Sequence, residues 1–126
     1  MNLLLDTHIV LWWLSDPDRI TARIQDAIKN AKNRIWISAV VGWEIRIKEA
    51  LGKLTIPVEY DQVLWDQGFI ELPITFSQVN VLTTLAAIHR DPFDRLLVAQ
   101  ALAENFTLVS ADSILENYGV PILLNG

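Results

Sequence analysis

The chain contains no cysteine. Disulfides, thiolate metal sites and cysteine nucleophiles are therefore excluded, and nothing points to export into an oxidising compartment. No uncharged apolar run reaches the ~18 residues of a membrane span. The N-terminus lacks the basic start and cleavage pattern of a signal peptide, so a cytoplasmic location is the expectation. Basic residues are in deficit: Lys and Arg number 10 against 15 Asp and Glu, for a net charge of −5. That balance argues against a protein that grips nucleic acid through a broad basic surface. It leaves room for a nuclease whose acids gather around metal ions, because bound divalent cations reverse the local sign. It also suits a basic protein partner. No Gly-rich phosphate loop and no Gly-x-Ser-x-Gly occur, which argues against a nucleoside-triphosphate enzyme and a serine-hydrolase elbow. His8 and His89 are the only histidines, and neither lies in a His-Glu-x-x-His helix. Both read as hydrogen-bonding or packing residues rather than zinc ligands.

What is present is apolar and well patterned. Hydrophobic residues make up 52% of 126 positions, enough for one domain, residues 1–126, around one core. Asn2-Leu3-Leu4-Leu5 is a short apolar run that ends at Asp6, the form of a buried parallel strand. Residues 9–14, Ile-Val-Leu-Trp-Trp-Leu, are apolar on every side and leave a face over after the core is served. That face, with Trp12 and Trp13, is either plain core packing or a partner groove or dimer contact. An amphipathic helix extends to about Asn33, with Ile20, Ile24, Ala27, Ile28 and Ala31 as its stripe. Arg34–Ser38 reads as a second strand, Ala39–Leu51 as a helix with Gly52 at its end, and Pro57–Gly68 as another helix. Phe69–Leu72 reads as an edge strand stopped by Pro73, and Ser77 to about Leu85 as helical. A helix over Pro92–Glu104, a strand over Phe106–Ser110, a short helix from Ala111 and a last strand over Val120–Leu124 complete the chain. Strands alternating with helices predict an α/β fold: a three-layer α/β/α domain with a parallel, roughly five-stranded sheet. Trp36, Trp43 and Trp65 lie in apolar elements and are expected in the core rather than as RNA-stacking platforms.

The densest polar signal is His89-Arg90-Asp91-Pro92-Phe93-Asp94-Arg95. Asp91 is placed to cap the following helix, Pro92 fits its first position, and Asp94 falls three residues after the cap. Asp94 either closes a capping box or faces a ligand at the helix start. Other acids stand at comparable places. Asp6 ends the first strand and Asp112 follows the fourth by two residues, and these strands are natural neighbours across a switch point. Sites in open parallel sheets lie beyond that rim. Glu44 shares a helix face with Val40, Val41, Ile47 and Leu51, where an unpartnered carboxylate seldom sits. Each acid also has a structural reading: a cap for Asp6, a first-turn acid for Asp112, an i,i+4 pair with Lys48 for Glu44. If the four converge, repulsion decides the matter. Two carboxylates ~6 Å apart repel by roughly 3 kcal/mol at an effective dielectric near 20. Six such pairs exceed the ~5–15 kcal/mol that holds a domain together. The acids must then share protons or bind cations, and oxygen ligands point to Mg²⁺ or Mn²⁺. Such ions support in-line displacement at a phosphodiester.

Leu4-Leu5-Asp6-Thr7-His8, Ser38-x5-Glu44, the segment from His89 to Ala101 and Ser110-Ala111-Asp112 together resemble the PIN-domain ribonucleases, and within them the VapC-type toxins of bacterial toxin–antitoxin pairs. The resemblance covers Asn2 to Leu123. It implies a parallel five-stranded sheet between helices, an acidic pocket for Mg²⁺ or Mn²⁺, and RNA cleavage that leaves 5′-phosphate and 3′-hydroxyl ends. By position, the catalytic and metal-binding acids are Asp6, Glu44, Asp94 and Asp112. Thr7 and Ser110 match hydroxyl positions beside the first and last of these, with serine where threonine is common. Asp91 is either a structural cap, the favoured reading, or a fifth acid of the metal site. Arg95 either contacts a substrate phosphate or pairs with a pocket carboxylate. The resemblance further implies an RNA substrate, a cognate antitoxin whose tail lies over the site, and a homodimer. A rival reading, a phosphatase or phosphate-accepting regulator built on Asp6, would usually show a second Asp at the position of His8.

Overall fold

The computed structural model describes residues Met1–Gly126. The central strand β1 (Asn2–Leu5) is the apolar run, and Leu3, Leu4 and Leu5 are fully buried. Being covered on both faces, it has no polar alternation. Helix α1 (Thr7–Ser15) follows at once, then a 3₁₀ turn (Pro17–Arg19) and α2 (Ala22–Lys29). Strand β2 (Arg34–Ser38), α3 (Ala39–Ala50), α4 (Tyr60–Asp66), β3 (Ile70–Leu72) and α5 (Phe76–Val81) make up the middle of the chain. A 3₁₀ turn (Leu82–Thr84), helix α6 (Pro92–Glu104), β4 (Thr107–Ser110), a third 3₁₀ segment (Ser113–Tyr118) and β5 (Ile122–Leu124) complete it.

The sheet has five strands in the order β3-β2-β1-β4-β5, and every pairing is parallel. Register sets Leu3 beside Ile35 on one side and Thr107 on the other. The sequence therefore reaches β2 and β3 on one side of β1 and β4 and β5 on the other, which makes the β1/β4 boundary the switch point. Helices flank the sheet in three layers, as the alternation of elements predicts. β3 pairs with β2 alone and is an edge, as expected of the strand that Pro73 ends.

Some boundaries shift for local reasons. The amphipathic helix expected to reach Asn33 stops at Lys29, because the Asn30 side chain accepts the Lys32 N–H at 2.9 Å and turns the chain. Pro57 does not open α4. Its carbonyl accepts the Tyr60 N–H at 3.2 Å in a turn, and the helix begins after it. α5 starts earlier than Ser77, where Thr75 and Gln78 form a capping box. α6 closes on Asn105, held at φ 58°, the left-handed conformation that asparagine tolerates.

Candidate active site

The acids gather where β1, β2 and β4 end. Asp6 leaves β1 and caps α1, its Oδ1 accepting the Ile9 N–H at 2.9 Å. The side chain is buried, and burial pushes its carboxyl above the usual range. Hydrogen bonds from the Ser110 side chain and the Ile9 N–H oppose that shift, and nearby Glu44 adds to it. Asp112 follows β4 and also caps: Oδ1 accepts the Ile114 N–H at 3.0 Å. Ser110 Oγ accepts the Asp112 N–H at 3.0 Å. Capping and pocket lining are thus combined in both residues.

Asp91 is the N-cap of α6, its Oδ1 accepting from the N–H groups of Phe93 at 2.9 Å and Asp94 at 3.3 Å. The Asp91 N–H turns to His89 Nδ1 at 3.2 Å. No capping box closes, and the Asp94 carboxylate is left facing the pocket. It is pushed up to about 7, by burial first and then by the charges of Asp91, Asp6 and Glu44, with His89 opposing. An acid raised by burial together with neighbouring carboxylates is the kind of group found at functional sites.

Glu44 projects from α3 and is only 5% exposed. Thr7 Oγ1 donates to its Oε1 at 2.6 Å, and Lys48 Nζ lies 2.8 Å from its Oε2. The i,i+4 pair therefore forms, and the carboxylate still stands near enough to Asp6 and Asp94 to raise both. A cavity of about 340 Å³ is lined by Asp6, His8, Trp12, Asp94, Ala111 and Asp112.

Sequence reasoning did not place His89 here. Its Nε2 lies 3.1 Å from Asp112 Oδ2 and 3.3 Å from Asp94 Oδ2. Its hydrogen-bonding character was legible; its aim depends on the path of the loop before α6. Arg95 corrects one of the alternatives raised for it: it pairs with no pocket carboxylate, and its Nη1 donates to the Ala86 carbonyl at 2.8 Å and to Tyr118 Oη at 3.2 Å, bracing that loop. Trp43 is a second correction: it is 55% exposed, with its ring edge-on to Phe93 at 4.9 Å, because α3 turns Val40, Val41 and Ile45 to the core and Trp43 away from it. The 9–14 segment divides its roles. Ile9 and Val10 are core, and Trp12 lines the acidic cavity under the Arg19 guanidinium, 4.5 Å above its ring. Trp13 packs on Phe69, and Leu11 and Leu14 line a separate groove of about 470 Å³ with Leu54, Ile56, Tyr60 and Val63.

Comparison with known proteins agrees with this geometry. The family model for the PIN domain matches residues 3–121. Ribonuclease VapC22 of Mycobacterium tuberculosis is 29% identical over 127 residues, covering 95% of this chain and 94% of that protein. Among solved structures, VapBC2 from Rickettsia felis, bound to a promoter DNA fragment, matches over 100% of both chains with a TM-score of 0.77 and 17% identity. DNA-bound VapBC from Salmonella typhimurium matches over 98% of this chain and 97% of that one, with a TM-score of 0.72 and 16% identity. With a five-stranded parallel sheet, acids at the ends of its strands and a family match from Leu3 to Pro121, the chain belongs to the PIN-domain family.

Proposed function

We propose that this chain is a metal-dependent endoribonuclease, the toxin of a toxin–antitoxin pair. The observation that carries the reading is the convergence of Asp6, Glu44, Asp94 and Asp112 from four segments of the chain: Asp6, Asp94 and Asp112 line one cavity, and Glu44 stands near enough to Asp6 and Asp94 to raise both. The donors fit a hard divalent cation, since carboxylate oxygens dominate the set and no thiolate competes. Asp6, Asp94 and Asp112 would hold Mg²⁺ or Mn²⁺ directly or through water. Bound there, such an ion supplies Lewis acidity to a phosphodiester and to its attacking water. Glu44, fixed in one orientation by Thr7 and Lys48, would complete the pocket and orient that water. Ser110 and Thr7 steady the acids beside them. Arg19 makes no ion pair and rests on Trp12 at the cavity wall, so it is the cation we assign to a substrate phosphate in place of Arg95.

The relatives support the biological half of the reading. One is named a ribonuclease, and two solved neighbours are VapBC complexes. A cognate antitoxin whose tail covers the acidic cavity, a toxin homodimer and action on cytoplasmic RNA are part of the proposal.

The test is incubation of the purified protein with total RNA in Mg²⁺, Mn²⁺ or EDTA, with the new ends mapped. Cleavage leaving 5′-phosphates, lost in EDTA and blocked by the product of the neighbouring gene, is the expected result. Absence of cleavage under every metal condition would leave a PIN fold that only binds a partner.

The charge of the pocket also sets a pH dependence. Asp94 keeps its proton to about 7 in the native state but only to 3.8 when unfolded. Between those values the native state binds the extra proton, so this group's contribution to stability falls as pH rises through the window. In EDTA the melting temperature should therefore drop from pH 5.5 to pH 8. Mg²⁺ should raise it more at pH 8 than at pH 5.5, because the cation replaces the proton. A Mg²⁺ shift equal at both values would count against competition at this carboxylate.

A further inference from the structure

His89 is tied more tightly than packing requires. Its backbone N–H donates to Tyr118 Oη at 2.7 Å, and Arg95 donates to the same oxygen. Its ring is fixed from the other side, where the Asp91 N–H reaches Nδ1 at 3.2 Å. Nδ1 must offer a lone pair to that N–H, so the ring proton is assigned to Nε2. The Nε2–H then points between Asp112 Oδ2 at 3.1 Å and Asp94 Oδ2 at 3.3 Å. One acid belongs to the first turn of α6 and the other to the loop after β4. The imidazole links them across that gap.

We propose that His89 is a positioning residue of the cation site and is not one of its ligands. Its Nε2–H holds one oxygen of Asp94 and one of Asp112 on the loop side, and so orients their remaining lone pairs toward the cavity. Although Nε2 and the two carboxylates lie within 4.8 Å of one another, a spacing that could hold an ion, ligation through Nε2 needs a lone pair there. Moving the proton to Nδ1 would set it against the Asp91 N–H, the amide of the residue that caps α6. A donor behind the ligands is the arrangement compatible with both contacts. Partners of this kind commonly alter metal affinity about 10- to 100-fold when removed. The inference rests on the metal-dependent reading above.

The experiment is Mn²⁺ binding to the wild-type chain, His89→Ala and His89→Gln, by calorimetry and by loss of the free-ion paramagnetic resonance signal. Near-ultraviolet circular dichroism and melting in EDTA are recorded alongside. Glutamine can place an amide N–H where Nε2 lay; alanine cannot. His89→Ala should weaken Mn²⁺ binding by about 10- to 100-fold, and His89→Gln should recover most of that loss. RNA cleavage by His89→Ala should return as Mn²⁺ is raised. A purely structural role would lower the melting temperature of both variants and leave affinity unmoved. Mn²⁺ affinity within about twofold of wild type in a folded His89→Ala overturns the proposal. Tighter binding overturns it too, since the ring would then be occupying the ion's place. A folded His89→Gln as weak as His89→Ala would remove the donor role. If the wild-type chain itself shows no saturable Mn²⁺ binding, the metal-dependent reading falls and takes this inference with it; wild-type binding with an unaffected His89→Ala removes His89 alone.

Discussion

Asp94→Asn is expected to lower metal-dependent RNA cleavage by at least about 10³-fold, the upper range for losing one electrostatic contact to a transition state. In EDTA at pH 8 the same substitution should stabilise the fold. The two effects have one origin. Asp94 sits half-buried in the first turn of α6, and that partial burial first, then the charges of Asp91, Asp6 and Glu44, push its carboxyl up to about 7. At pH 8 without a cation it is ionised against those charges. Asparagine keeps the shape and removes the charge. It leaves the start of the helix intact, because Asp91 makes the cap with its own Oδ1 and Pro92 supplies the first position. A gain of about 1 kcal/mol, roughly 4 °C for a chain of this size, is the expected shift. The increase in melting temperature on adding Mg²⁺ should shrink as well, since a ligand of the ion is gone.

The pairing of opposite signs makes the test discriminating. A residue retained for folding loses stability when changed. A residue held against repulsion for its chemistry gains stability while losing activity. Full cleavage by Asp94→Asn in excess Mg²⁺ would remove Asp94 from the machinery. A fall in melting temperature in EDTA would mean that the carboxylate holds His89 more strongly than its neighbours repel it, and would shift the role of the residue toward the loop before α6.

Much of this pocket was readable because the information is local. An apolar run that stops at an acid puts that acid at a strand end, and the alternation of strands and helices puts all such ends on one rim. Asp6 and Asp112 follow from those two steps, and Asp94 from the helix start beside them. Glu44 was readable as a carboxylate on an otherwise apolar face. The contacts that depend on the route of a loop were not readable. Arg95 turns back to the Ala86 carbonyl and Tyr118 Oη, and His89 reaches Asp112 from 23 residues away. Trp43 misled for a different reason: hydrophobicity alone does not say which side of α3 the sheet covers, and Trp43 lies on the side it leaves open. The same limit hid a buried polar chain. Nothing in the sequence of the helix after Asp94 marks the partners of Gln100, which lie 22 and 62 residues away.

Gln100→Leu tests that chain, and a loss of about 2–3 kcal/mol is expected. Gln100 is fully buried on α6, and Ser38 Oγ donates to its Oε1 at 2.6 Å. Its Nε2 donates to Gln78 Oε1 at 3.0 Å. Leucine is close in size, so the expected cost comes from polar groups stranded in the core rather than from a cavity. The Ser38 hydroxyl loses its acceptor, while Gln78 Oε1 keeps the Thr75 N–H at 2.9 Å. Ser38 is also the residue whose oxygen accepts the Val40 N–H at the start of α3. Gln100 therefore ties the helix that carries Glu44 to the helix that carries Asp94. Urea unfolding of Gln100→Leu, Ser38→Ala and the double variant separates these contributions. Ser38→Ala alone should cost about 1 kcal/mol through the lost cap. The double variant should be less destabilised than the sum of the singles by at least about 1 kcal/mol, because removing both partners leaves no stranded hydroxyl. Additive losses would mean that the two side chains act separately. Because the link lies behind the acids rather than among them, the activity of the folded fraction of Gln100→Leu should fall far less than that of Asp94→Asn. A loss as large as that of Asp94→Asn, without a matching loss of stability, would place the spacing of α3 and α6 among the determinants of the chemistry.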